Sequence, residues 1–290
     1  MTQAEIDPRV FDLYDEYCHG GIERREFLKR AAALGAAGLV TAQALMPRYA
    51  RAQTVSPEDK RIRAERVTYP SPGGNSDKMR GYLVQPAGQG PWPAVLVIHE
   101  NRGLNPYIED VARRVALQGT LALAPDGLSS WGGYPGNDDE GRAMQANLDQ
   151  AKLRTDMLNG ARFLKDHKLS NGKLGVTGFC WGGGVANWLA TELGAGLQAA
   201  VPFYGPAADT ASVPKIKAPL LIQLAENDAR INETYPSFEE ALKKAGVRYQ
   251  IHVYPGTQHG FHNNSTPRYN EGAARLAWQR TVAFFKKSLA

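Results

Sequence analysis

A mostly parallel, doubly wound α/β sheet entered through an antiparallel hairpin is the fold class this sequence predicts. Three observations carry the expectation. A series of short apolar runs shows no in/out alternation, as strands covered on both faces do. Amphipathic stretches at helical spacing lie between those runs, and strand–helix alternation gives parallel crossovers. A turn cluster, Pro72-Gly73-Gly74-Asn75, separates two strand-like segments at the start of the region.

The hairpin comes first, with Val67-Thr68-Tyr69 set to pair with Arg80 to Val84 across that turn. Apolar strands are then expected at Ala94–Ile98, Leu121–Ala124, Leu174–Thr177, Ala199–Phe203 and Leu220–Leu224, and Tyr249–Tyr254 closes the series. Between them Ile108, Val111, Ala112 and Val115 share one helical face. A long helical stretch runs from Arg142 to His167, and another from Val185 to Leu193. The C-terminal segment places Trp278, Val282, Phe285 and Leu289 on a single face. No internal repeat interrupts this order, so residues 66–290 are expected to form one domain, preceded by a linker over 53–65.

The composition is that of an ordinary globular chain: 290 residues, 43% hydrophobic, 22% charged, net charge +5. Collagen, coiled coil and wholesale disorder are excluded. The basic excess is dispersed, without the clustered stripe of nucleic-acid binders, so no nucleic-acid partner is expected. Two cysteines, Cys18 and Cys180, cannot make a disulfide framework.

The first 52 residues read differently. Arg24-Arg25 precedes a mildly apolar run, Ala31 to Leu45, and Ala50-Arg51-Ala52 offers a small-x-small cleavage site. The combination resembles a twin-arginine export signal, which would make the twin-arginine machinery a partner and the mature chain periplasmic or secreted. Cleavage would leave no stable membrane association, because the apolar run falls short of the ~20 residues a spanning helix needs. Glu23 and the acids Asp12, Asp15 and Glu16 depart from that pattern. The alternative is a cytoplasmic protein that keeps an amphipathic N-terminal helix.

Gly178-Phe179-Cys180-Trp181-Gly182 lies between an expected strand and an expected helix. G-x-C-x-G in that setting has the form of a nucleophile elbow carrying cysteine. Flanking glycines allow the sharp turn, and the Trp181 N–H at the start of the helix can face a developing oxyanion. A buried structural cysteine and a dinucleotide-binding turn are the competing interpretations, though G-x-G-x-x-G spacing is missing. Asp228 follows the strand Leu220–Leu224, with Glu226 as its rival, and His259 follows Tyr249–Tyr254. The order Cys180, Asp228, His259 is that of an α/β-hydrolase triad. Gln258, His259 and His262 lack the pattern of a zinc site, so no metal is expected. Glu100, after the strand Ala94–Ile98, could belong to the site or be a surface carboxylate bridged to Arg102.

Taken together, His99-Glu100-Asn101-Arg102-Gly103, the elbow, Glu226-Asn227-Asp228 and His259-Gly260-Phe261 resemble the dienelactone hydrolase (carboxymethylenebutenolidase) family. The resemblance runs from about Val67 to the C-terminus. It implies an α/β-hydrolase fold and a Cys180–His259–Asp228 triad without cofactor. It also implies that Glu100 holds the resting thiol and takes its proton, with Asn101 and Trp181 as backbone oxyanion donors. The implied reaction is hydrolysis of a small lactone or activated ester through a thioester. A non-catalytic binding protein, or a thioesterase or peptidase on the same scaffold, is the alternative. One departure stands out: where family members carry a substrate-gripping arginine four residues past the histidine, this chain has Asn263. Arg102, Arg142 or Arg268 could replace it.

Overall fold

The structure, a computed structural model, describes residues 8–18, 21–35, 38, 40 and 53–290. Eight strands form a single sheet in the order β1-β2-β4-β3-β5-β6-β7-β8. They span Ile62–Pro70 (β1), Lys78–Pro86 (β2), Trp92–Ile98 (β3), Leu121–Asp126 (β4), Ser170–Phe179 (β5), Ala199–Phe203 (β6), Leu220–Asn227 (β7) and Tyr249–Gln258 (β8). β1 and β2 pair antiparallel, Val67 opposite Gly81, and β2 runs antiparallel to β4. Every later pairing is parallel. The expected hairpin and parallel sheet are both present, and the arrangement is that of an α/β hydrolase.

Side chains alternate across a strand, so an apolar run feeds a core on each face of the sheet. Leu96, Ile98, Val176 and Ile222 face one core, and Val95, Val97, Val201 and Leu221 the other. Helices cover both. Pro106–Ala116 (α3) opens with Asn105 accepting from the Ile108 N–H, and its proline stands in the first turn, where no N–H is needed. The stretch expected as one helix from Arg142 is two, Asp138–Ala146 (α4) and Gln150–Lys165 (α5). Asp149 caps the second by accepting from the Ala151 and Lys152 N–H groups, so the cap wins over continued helical periodicity. Trp181–Leu193 (α6), Ala229–Asn232 (α7), Tyr235–Lys244 (α8) and Glu271–Ser288 (α9) complete the coat.

Part of the expected linker is built into the domain. β1 begins at Ile62, and the Thr54 and Val55 N–H groups donate to Asp110 Oδ1 on α3 at 3.0 and 2.7 Å. Val55 is buried. Ahead of this, Pro8–Cys18 (α1) and Arg24–Ala33 (α2) form a helical hairpin around a small core of Val10, Phe11, Tyr14, Tyr17, Phe27 and Ala31. The twin arginines open α2. The cleavage site expected at Ala50-Arg51-Ala52 lies outside the described residues. No helix of the described residues is long and apolar enough to cross a membrane.

Candidate active site

Parallel strands deliver their exits to one edge of the sheet, which is why ligand sites of open α/β folds gather there. Glu100 and Asn101 follow β3, Cys180 follows β5, Asp228 follows β7 and His259 follows β8.

The turn at Cys180 is tightly constrained. Its φ is 56° and ψ is −117°, a left-handed conformation that costs a non-glycine residue about 1–3 kcal/mol and persists only where the surroundings enforce it. The surroundings do. A Cβ on Gly178 would sit 2.1 Å from the Gly182 carbonyl oxygen, and one on Gly182 would sit 2.5 Å from that of His99. Strand, turn and helix therefore approach more closely than side chains allow. The Cys180 N–H donates to the Phe203 carbonyl at 3.0 Å, tying the turn to β6. Trp181 begins α6, and the first N–H groups of a helix have no partner within it.

His259 and Asp228 form a buried pair, Nδ1 donating to Oδ2 at 2.6 Å. Burial alone would depress the imidazole. With Cys180 as the thiolate, its charge, the Asp228 carboxylate and the hydrogen bonds to both outweigh burial and hold His259 above the ordinary histidine value. Glu226 is exposed and accepts instead from the Gly256 N–H at 2.8 Å, so the choice between the two carboxylates falls to Asp228.

Glu100 is 2% exposed, which removes the surface-carboxylate alternative. Burial raises its carboxyl above the usual range; Arg102 and Arg268 pull it back, and the charges on Cys180 and Asp138 push it further up. Asn263 Nδ2 donates to Glu100 Oε2 at 3.1 Å, and Arg102 Nε lies 3.7 Å from the same oxygen. Arg102 is also bound to Asp138 at 3.0 Å. Arg142 lies elsewhere, on α4, its guanidinium donating to the Tyr17 carbonyl and stacked over the Tyr17 ring. His99 is a clamp. Its Nε2 accepts from the Gly127 N–H at 3.0 Å, so Nδ1 carries the proton and donates to the Glu100 carbonyl at 2.6 Å.

Three residues of the site were not singled out from sequence. Asn263 entered only as a departure from the family pattern, yet it holds Glu100, and its own Oδ1 accepts from the Ser265 N–H and Oγ. Tyr204, in a left-handed conformation at φ 34°, lies where β6 exits, its ring centroid 5.0 Å from that of His259 and tilted 60° to it. Tyr107 is hydrogen-bonded to His262 Nδ1 at 2.7 Å and supports Tyr204 from below. Tyr204 had a signal available: it follows an apolar strand, as Cys180, Asp228 and His259 do. Among the described residues no cluster of His, Cys, Asp or Glu could hold a metal ion.

Comparison with known proteins agrees with this geometry. The family model "Dienelactone hydrolase family" matches residues 79–289, and a second model, "YqhI-like", matches residues 1–36. A "putative hydrolase fragment YghX" of Escherichia coli strain K12 is 64% identical over 106 residues, 36% of this chain and 90% of that one. A "putative carboxymethylenebutenolidase" of the same strain is 32% identical over 250 residues, covering 80% of this chain and 90% of its own length. The crystal structure of a "putative dienelactone hydrolase" from Klebsiella pneumoniae superposes with a TM-score of 0.69 at 28% identity, over 78% of this chain and 99% of that one. On sequence and fold alike, the chain belongs to the dienelactone hydrolase family of carboxylic ester hydrolases.

Proposed function

We propose that the protein hydrolyses a small lactone or activated ester with Cys180 as nucleophile, through a thioester. The single observation that carries this is the enforced left-handed turn at Cys180, with the His259–Asp228 pair beside it. A merely buried cysteine has no need of that conformation.

The thiol proton passes to the Glu100 carboxylate as Sγ attacks the carbonyl carbon. The oxyanion is met by the backbone N–H groups of Asn101 and Trp181. Collapse breaks the ester C–O bond, and the leaving oxygen takes a proton from the His259 imidazolium. The Asp228 carboxylate bonded to Nδ1 favours the protonated ring of that starting state. Neutral His259 then draws a proton from water, whose oxygen attacks the thioester. The second collapse releases the carboxylic acid, and the thiolate recovers its proton from Glu100. Asp228 fixes the imidazole throughout and stabilises its charge.

Turnover of p-nitrophenyl acetate and of a lactone panel tests the assignment. Cys180→Ala should lose more than about 10³-fold in kcat while its circular dichroism is unchanged. A variant that keeps its activity would return Cys180 to the core. A non-catalytic binding protein would show no turnover in the wild type.

A further inference from the structure

The N-terminal hairpin packs over the loops that carry Asp228 and His259. Tyr17 Oη donates to Asp139 on α4, and Arg24 Nη1 reaches the same carboxylate at 3.0 Å. Arg142 grips the Tyr17 carbonyl and lies 4.0 Å over the Tyr17 ring centroid. On the other side the Arg268 guanidinium, 3% exposed, stacks 4.7 Å from the Tyr14 ring. Arg268 is a residue of the site: it lies against Gly260, next to His259, and its charge acts on Glu100. Between hairpin and domain lies a cavity of about 420 Å³. Phe11, Asp12 and Glu16 line one wall, and Asp228, His259 and Arg268 line the other.

We propose that residues 8–33 stay with the working enzyme as a cap, forming one wall of the substrate pocket and selecting compact substrates over bulky ones. Four independent features support this. The hairpin has an apolar core of its own, which an export leader destined for removal does not need. Tyr14, Tyr17 and Arg24 are also engaged with residues of two separate parts of the domain, α4 and the loop after β8. It shares a cavity with two members of the triad. The family model that matches the N-terminus ends at residue 36, with the two helices and short of the full apolar run. A pocket of about 420 Å³ is at the small end of ligand sites, which run from about 300 to 1,000 Å³, so the cap limits the bulk of a substrate group that reaches past His259.

The inference rests on Cys180 as the nucleophile for its activity readout but not for its chemical one. Full-length enzyme in a Cys18→Ser background is compared with Tyr17→Ala and with Asp139→Ala, which loosen the same contact from opposite sides. Two quantities are read: the kcat/KM ratio of p-nitrophenyl octanoate to p-nitrophenyl acetate, and the rate of Cys180 alkylation by iodoacetamide. Loss of a docking contact of about 1.4 kcal/mol multiplies the open population roughly tenfold, and both quantities should rise by about that factor. Circular dichroism and thermal melting identify any variant whose domain has failed to fold, and the partner variant then decides. Unchanged ratio and rate in both folded variants would overturn the cap. So would enzyme purified from its own host with its N-terminus at Gln53 and full-length selectivity. If Cys180→Ala keeps its turnover, the nucleophile falls, while the alkylation rate still reports on the cap.

Discussion

His262 should make this protein acid-labile by an amount that can be worked out. The imidazole is 1% exposed, packed between Phe179 and Trp278, and bonded to Tyr107. Burial, helped by the charge of Arg114, lowers it from 6.5 to about 3. The folded protein therefore keeps it neutral where the unfolded chain would protonate it. Above pH 6.5 neither state binds the proton and the contribution to stability is complete. As pH falls from 6.5 towards 3 the unfolded state binds more protons and stability is lost. At about 1.4 kcal/mol per unit, reaching pH 4 costs about 3 kcal/mol from this one group. His262→Gln cannot titrate there and retains a polar partner for Tyr107. Urea unfolding of both proteins at pH 7 and pH 4 isolates the effect, because the carboxylates they share cancel in the difference. The variant should be the weaker protein at pH 7, by roughly 1–2 kcal/mol, and should draw level or overtake at pH 4. A stability gap of the same size at both pH values would refute the argument.

Two further outcomes concern the chemistry. Asp228→Asn should reduce kcat on p-nitrophenyl acetate by roughly 10⁴-fold, since the amide favours the wrong imidazole tautomer, whereas Glu226→Gln should stay within about twofold; equal losses would show the wrong carboxylate was chosen. Glu100→Gln removes a buried negative charge beside the thiol, which favours the thiolate, so Cys180 alkylation should extend to lower pH while ester turnover falls; superimposable alkylation profiles would separate Glu100 from the thiol.

The grouping of Cys180, Asp228 and His259 was legible because each follows an apolar strand, and strand exits in a parallel sheet converge on one edge. Order and punctuation alone placed Cys180 and His259 there, with Asp228 or Glu226 as the acid. What stayed hidden depends on side-chain direction. Whether Glu226 or Asp228 met the histidine turned on a two-residue offset, which a strand's alternation cannot resolve at its frayed end. The break at Asn147-Leu148-Asp149 was hidden because apolar spacing continues across it, and only the Asp149 cap stops the helix. The role of residues 8–33 was hidden for a different reason. Twin arginines ahead of an apolar run read alike in an export signal and in a helix whose first arginine reaches an aspartate 115 positions away.

The replacement of the family arginine by Asn263 bears on what enters the pocket. Its amide is committed at both ends, nitrogen to Glu100 and oxygen to Ser265, so it positions Glu100 and does not reach outward to a substrate. Arg102 is engaged with Glu100 and Asp138, and Arg142 with Tyr17. Of the three arginines that could stand in for the missing one, Arg268 alone lines the cavity shared with His259, and a tyrosine of the cap lies across it. Carboxylate recognition, if the substrate carries that group, would thus depend on the N-terminal hairpin being in place. In this chain the substrate grip and the cap are one structural question: a change in Tyr14 should alter KM for acidic esters more than for neutral ones of the same size.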